Sequence, residues 1–385
     1  MAPPLATADA ISTALAALPG FRQQGTHLRC RYALPDFAAA VALGARIAAL
    51  AAAHDHHPDW TTRYREVEVA TTTHDAGGIT RRDLELAAAI AAAAAALGSA
   101  PVAADALAAD TGLWAQPGHF YSPIPDPAEL AADAARRVPR PRDLPGIDLR
   151  LDAQLALAVQ LARCYGEEDF PAAPRADRRY CLANEYFGYG DAFVYHALLR
   201  HLAPRRVLEV GAGWSSAVLL DTDERWLGQR TGIAFVEPFP DRLLSLLRPA
   251  DHARVRLLRQ RVQDVAAEEF TRLGAGDVLF VDTSHVAKTG SDVVHLVCEV
   301  LPTLAPGVWV HFHDVHANFE YPESWVREGR AWNEAYFLRA FLQHNREFEI
   351  RLHAPTLALH AAGQLLPLMP RVGENVGGSL WLCRA

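Results

Sequence analysis

Arg206-Val207-Leu208-Glu209-Val210-Gly211-Ala212-Gly213 decides the fold of the larger part of this chain. An apolar strand runs here into a tight turn with two glycines, and Trp214-Ser215-Ser216 then opens a helix. Glycine lets backbone approach a ligand closely, and the first turn of a helix offers free N–H donors. The pattern predicts a strand–turn–helix unit with a ligand at its turn.

Working outward, further strands are expected at 233–237, 255–258, 278–282, 308–314, 349–353 and 379–383, with helical segments between most of them. Several are continuous apolar runs, as parallel strands buried on both faces should be. The expectation for 149–385 is a doubly wound, Rossmann-like α/β sheet with an antiparallel strand near its end. Acids close the successive strands: Glu237, Asp282 and Asp314 end theirs, and Asp264 follows the strand at 255–258. Ligands of open α/β sheets collect at the carboxyl ends of strands, where these acids would sit. An acid after the second strand suits the hydroxyls of a ribose, and Asp264 could face an adenine amino group. The motif is ExGxG with Glu209 inside the strand, not GxGxxG, which favours S-adenosylmethionine over a dinucleotide.

The first hundred residues read differently. Asp36 caps a helix over 36–53 with Phe37, Val41, Ile47 and Leu50 at near-helical spacing. Residues 64–72 alternate as a strand, and Thr80 to Asp83 forms a capping box opening an alanine-rich helix. A small α+β domain over 1–100 is expected. Prolines then crowd a connector over 101–148, whose run Gly118-His119-Phe120-Tyr121-Ser122-Pro123 is aromatic enough to pack on the domain that follows.

Composition narrows the function classes. The net charge of −8 gives no electrostatic footprint for nucleic acid or an anionic membrane. The run 84–97 is too short and too weakly apolar to span a bilayer, and no signal peptide opens the chain. Five scattered cysteines without a CxxC pair suggest reduced thiols and a cytoplasmic protein.

With the glycine turn and its acids, the chain resembles class I S-adenosylmethionine-dependent methyltransferases. Within them it is similar to a bacterial branch carrying Val281-Asp282-Thr283-Ser284-His285, His311-Phe312-His313-Asp314, Tyr321-Pro322 and Trp332-Asn333-Glu334. The resemblance covers roughly Gly112 to the C-terminus. It implies that Glu209, Gly211, Gly213, Glu237 and Asp264 bind the cofactor, with Ser215, Ser216 and Asp282 beside them. His285 and His313 are candidates for the base, since neutral imidazole titrates near working pH. His119, Tyr121, Asn184, Phe187, Asp314, Trp332 and Asn333 are candidates for acceptor contacts, with Tyr186 and Trp325 near them. Asp282 and Asp314 also resemble the carboxylates that hold a divalent ion in catechol-type O-methyltransferases. Val315, not a further oxygen ligand, follows Asp314, so a metal is the less favoured alternative.

The small domain carries a second resemblance. His56-His57-Pro58, Trp60, then Thr73-His74-Asp75-Ala76-Gly77-Gly78-Ile79-Thr80 and Asp83 form the signature of pterin-4a-carbinolamine dehydratases, over about Leu15 to Leu97. It implies an antiparallel sheet with helices on one face, a 4a-hydroxytetrahydropterin substrate and a site of His56, His57 and His74, with Asp83 supporting. Two positions depart from the family: Ala52 replaces a usual acid, and Phe21 stands where tryptophan is common. Two readings of the pair stay open, a bifunctional enzyme served by a pterin-dependent hydroxylase or a methyltransferase whose first domain only self-associates or recruits a partner, and a third takes the C-terminal domain as a non-catalytic binder of S-adenosylmethionine or a nucleotide. A homo-oligomer through the first domain fits either.

Overall fold

The computed structural model describes residues 3–18, 20–101, 119–126, 129–133 and 138–385. Gly118 and much of the proline-rich connector fall outside the described residues. The chain divides into two compact units, Met1–Ile124 and Pro125–Ala385.

In the first unit an antiparallel sheet has the order β1-β2-β4-β3, where β1 is Arg22–Gln24, β2 His27–Ala33, β3 Asp59–Arg63 and β4 Glu66–Thr71. The short β5, Ala100–Pro101, pairs with β2. One face of β2 and β4 presents Leu28, Cys30, Tyr32, Val67 and Val69 to helices α2 (Phe37–Ala53) and α3 (Arg81–Ala95). The expected strand over 64–72 is thus shorter, because Tyr64 takes φ 53° and turns the chain between β3 and β4.

Asp36 caps α2 as expected, accepting from the Ala39 amide at 2.8 Å. The apolar face expected for that helix is corrected. Ala40, Leu43, Ile47 and Ala51 are buried, whereas Phe37 and Val41 are each about half exposed, at 53% and 51%. Two alanines flank Leu43 and the expected Ile47 on the face that packs against α3, and Phe37 and Val41 are left outside.

The second unit holds a seven-stranded sheet of order β11-β12-β10-β9-β6-β7-β8. These are β6 Arg206–Val210, β7 Gly232–Val236, β8 Val255–Leu258, β9 Val278–Val281, β10 Trp309–Phe312, β11 Phe348–His353 and β12 Leu380–Arg384. β8 through β10 pair in parallel, and β12 runs antiparallel to both β10 and β11. Alternate residues feed two cores. Val207, Phe235 and Phe280 pack on one face, and Leu208, Val236 and Leu279 on the other. Leu144 and Leu149 bury in the second of these cores, so the end of the connector is part of this unit. The order reverses at β6, whose neighbours are β7 and β9, and this places a crevice at the carboxyl ends of the central strands. Among the described residues, no helix is long and apolar enough to cross a membrane.

Candidate functional site

In the first unit the sequence brings one histidine and one acid together at the start of α3. Thr80 caps this helix, and the Asp83 side chain returns a bond to the Thr80 amide at 2.8 Å, completing the capping box. The same buried carboxylate accepts from His56 Nε2 at 2.7 Å, Thr71 Oγ1 at 2.8 Å and Thr73 Oγ1 at 2.7 Å. Burial raises the Asp83 pKa, but the Thr80 amide, His56, Thr73 and Thr71 outweigh it and hold the carboxyl below its ordinary value. Its stabilisation is therefore present above about pH 3.8 and lost as pH falls through the folded pKa. His57 and His74 are exposed, the latter on a turn closed by Gly77 at φ 69°. Asp83→Ala takes the acceptor from five donors, Thr80 Oγ1 at 3.2 Å being the fifth, and is expected to cost roughly 3–5 kcal/mol, read as a fall in the thermal midpoint of this unit.

In the second unit the glycine turn leaves β6 between two neighbours. Gly211 N donates to the Val236 carbonyl at 3.0 Å, and Asp282 N donates to the Val210 carbonyl at 2.9 Å. Gly211 has φ 82°, and a β-carbon there would overlap the Asp282 carbonyl oxygen. Only glycine fits both demands. Glu237 joins the loops on the other side, its carboxylate accepting from Ala212 N at 3.1 Å and Phe239 N at 2.8 Å.

Gly211, Gly213, Ser215, Glu237, Asp282, Asp314, His285, His313, Phe187 and Trp332 line one cavity of about 530 Å³ at the carboxyl ends of these strands. Residues that the sequence scatters over almost 150 positions thus share one wall.

Several expected contacts are corrected. Glu209 is fully buried and off the cavity wall; it accepts from Ser215 Oγ at 2.6 Å and Ser216 Oγ at 2.7 Å. Burial lifts its carboxyl to about 8 against the pull of both serines. It braces the turn from behind, as does Ser216, whose Oγ accepts from Gly213 N at 3.0 Å. Asp264 lies at the surface in an ion pair with Arg261 at 2.9 Å and does not line the cavity. Asn184 spends its amide on the Cys181 and Phe187 carbonyls and on the Tyr186 and Phe187 amides. Asn333 does the same with both backbone groups of Ala287. Both amides satisfy loop backbone instead of facing the cavity. His119 and Tyr121 belong to the first unit, where His119 stacks on Tyr121 at 5.6 Å between centroids.

The electrostatics centre on His285, a buried residue in the left-handed region at φ 58°. Its Nδ1 donates to Glu334 Oε2 at 2.8 Å, and its Nε2 stands 3.4 Å from Asp282 Oδ1 and 3.5 Å from Asp314 Oδ2. Burial lowers its pKa, but Asp282 and Glu334 more than compensate and raise it to about 10. Burial lifts the Glu334 carboxyl against the pull of His285. With Asp282 and Asp314 on the far side of the ring, the imidazolium is the state this geometry favours. The geometry favours a charged His285, which speaks against its expected part as a base. His313 is also buried; Asp282, Asp314 and Asp191 raise its pKa against desolvation. Its Nδ1 has no protein partner among the described residues. Asp282 and Asp314, the carboxylates considered for a divalent ion, both face the same nitrogen of His285.

Sequence reasoning gave no role to Arg242, Arg330 or Glu334. Arg242 lies over the Tyr186 ring at 3.7 Å, and Arg330 lies over Trp325 at 4.5 Å and Trp332 at 5.1 Å. Arg179 was also missed. It is buried and ties Asp251 and Asp221 at 2.6 to 2.8 Å, which anchors the loop that ends in Phe187. Its only signal was an arginine before an apolar run.

Two family models match this chain: pterin 4 alpha carbinolamine dehydratase over residues 4–93, and a methyltransferase domain over residues 208–315. A Rhodopseudomonas palustris protein named for pterin-4-alpha-carbinolamine dehydratase is 48% identical over 86 residues, 22% of this chain and 85% of that one. The chain joins a domain of the pterin-4a-carbinolamine dehydratase family to a methyltransferase domain. An Archaeoglobus fulgidus protein of unassigned function is 32% identical over 165 residues, 41% of this chain and 72% of that one. Among solved structures, an S-adenosylhomocysteine-bound methyltransferase of Podospora anserina aligns at 16% identity and TM-score 0.34, covering 69% of this chain and all of that one. The His56–Asp83 pair lies within the dehydratase-family match, and Gly211, Glu237, Asp282, His285 and Asp314 lie within the methyltransferase match.

Proposed function

We propose that the methyltransferase domain moves the methyl group of S-adenosylmethionine to an oxygen or nitrogen of a small molecule. The observation that carries this is Glu237 on the cavity wall, fixed by two backbone amides beside the Gly211 turn. Its free lone pairs suit the ribose hydroxyls, and Arg242, without a carboxylate partner among the described residues, suits the amino-acid carboxylate. When bound, the cofactor supplies an electrophilic methyl on sulfur for in-line attack. A hydroxyl acceptor agrees best with the imidazoles. Both nitrogens of His285 face carboxylates, whereas His313 Nδ1 has no protein partner among the described residues, so His313 takes the proton and the charge of His285 stabilises the oxygen as it becomes anionic. Asp282 and Asp314 keep that charge in place. Glu237→Ala is expected to weaken S-adenosylhomocysteine binding by about 10- to 100-fold in calorimetry, about 1.4–2.8 kcal/mol for the lost hydrogen bonds. Unchanged binding removes Glu237 from the cofactor site.

We further propose that the first domain dehydrates 4a-hydroxytetrahydropterins, with His56 oriented by Asp83, and His57 and His74 open to substrate. Removal of the hydroxyl needs an acid, and removal of the ring proton a base, near neutral pKa. A pterin-dependent hydroxylase would supply the substrate. A specific observation also favours self-association: Phe37, Val41, Trp60 and Tyr64 leave large apolar surface exposed. Following dehydration of a 4a-hydroxypterin separates the readings. Loss of the rate in His56→Ala and His57→Ala supports catalysis, and an unchanged rate leaves only the scaffold.

A further inference from the structure

The cavity of the methyltransferase domain has two cationic ends. Arg242 reaches it from the helix Asp241–Leu246 and passes beside Gly213, where a β-carbon would stand 3.2 Å from Arg242 Cδ. That is the end of the glycine turn. Arg330 belongs to the other end. Its backbone amide donates to the Trp325 carbonyl at 3.1 Å, and its guanidinium lies against both Trp325 and Trp332. Trp332 in turn packs on the His285 ring at 4.4 Å between centroids. Arg330 is thus one aromatic ring away from the charge that faces the reacting oxygen.

The hydrogen bonding of Arg330 leaves it available. Its Nε donates to Glu328 at 2.8 Å, and neither Nη atom has a hydrogen bond to the protein among the described residues. A guanidinium whose Nη groups are open is suited to a carboxylate, and contact with two indoles that meet edge to face at 76° restrains it. Three of the four acids that line the cavity are occupied elsewhere, and the fourth, Glu185, adjoins Tyr186 on the Arg242 side. Asp282 and Asp314 face His285, and Glu237 holds Ala212 and Phe239. The indole faces offer flat apolar area for a ring.

Resting on the methyl-transfer reading above, we propose that the acceptor is an aromatic hydroxy acid. Its ring lies against Trp325 and Trp332, its carboxylate meets Arg330, and its hydroxyl points to His285 and His313. The competing explanation is that Arg330 merely holds the two tryptophans together.

The test uses the full chain saturated with S-adenosylhomocysteine. Hydroxybenzoates and hydroxycinnamates are titrated beside the carboxamide of each. At least one acid is expected to bind about tenfold or more tightly than its own amide. Arg330→Met should bring that acid down to the level of the amide, and Arg330→Lys should restore part of the difference. The affinity for S-adenosylhomocysteine should stay within about twofold in both variants. The proposal is overturned if no acid binds, if acids and amides bind alike, or if Arg330→Met weakens both equally. Failure of S-adenosylhomocysteine itself to bind is a different outcome, and it defeats the methyl-transfer reading instead.

Discussion

Replacing Gly211 by alanine is expected to abolish binding of S-adenosylhomocysteine and to lower the stability of the second unit by about 3–5 kcal/mol. Two penalties add. The left-handed φ of 82° costs an alanine roughly 1–2 kcal/mol. The new β-carbon would also enter the space of the Asp282 carbonyl, which is backbone and has little room to move. The turn is pinned to Val236 on one side, and Asp282 is pinned to Val210 on the other. Relief therefore requires β6 and β9 to part at the end that forms the cavity. Gly213→Ala is the internal control. Its β-carbon would meet only the flexible Arg242 side chain at 3.2 Å, so a much smaller loss is expected. Calorimetry and thermal unfolding of the two variants read the difference.

Replacing His285 by asparagine is expected to lower the methyl-transfer rate by about 10²- to 10³-fold, the scale of losing one preorganised electrostatic contact. It should also cost roughly 3–5 kcal/mol, because Asp282, Asp314 and Glu334 would lose their shared countercharge. The pH dependence separates this from a simple packing defect. The folded pKa is raised, from 6.5 to about 10. The contribution of the imidazolium to stability is thus complete below about pH 6.5, declines as pH rises, and is gone once pH passes about 10. The wild type should lose thermal stability over that alkaline window more steeply than His285→Asn. Parallel profiles for the two proteins would mean that His285 is not held as a cation.

The glycine turn and the alternating sheet were legible because backbone constraints act locally. Gly211 needs no distant partner to announce a positive φ, and buried parallel strands are apolar throughout. The Thr80–Asp83 box was legible for the same reason. Roles that depend on partners far along the chain were not. Asn184 and Asn333 were rightly expected to need hydrogen bonds, but sequence does not reveal that loop backbone would satisfy them. Asp264 sits at the expected position after β8, yet its neighbour Arg261, three residues away, takes its carboxylate. Glu209 belongs to the motif, and burial turns it inward to the two serines. His285 has the composition of a base, and only the convergence of Asp282, Asp314 and Glu334 makes it a cation. Arg330 gained meaning from two tryptophans folded against it. In α2 the expected Ile47 is buried, but the buried face runs through Ala40, Leu43 and Ala51 and leaves Phe37 and Val41 outside.

The central claim is that the Gly211 turn, with Glu237, forms a cofactor site in this chain. Calorimetric titration of S-adenosylhomocysteine into the full protein tests it most directly. The prediction is one molecule bound per chain with a Kd in the range of roughly 1–100 μM, and no detectable heat with Gly211→Ala. A folded wild-type chain that binds neither S-adenosylhomocysteine nor S-adenosylmethionine would contradict it.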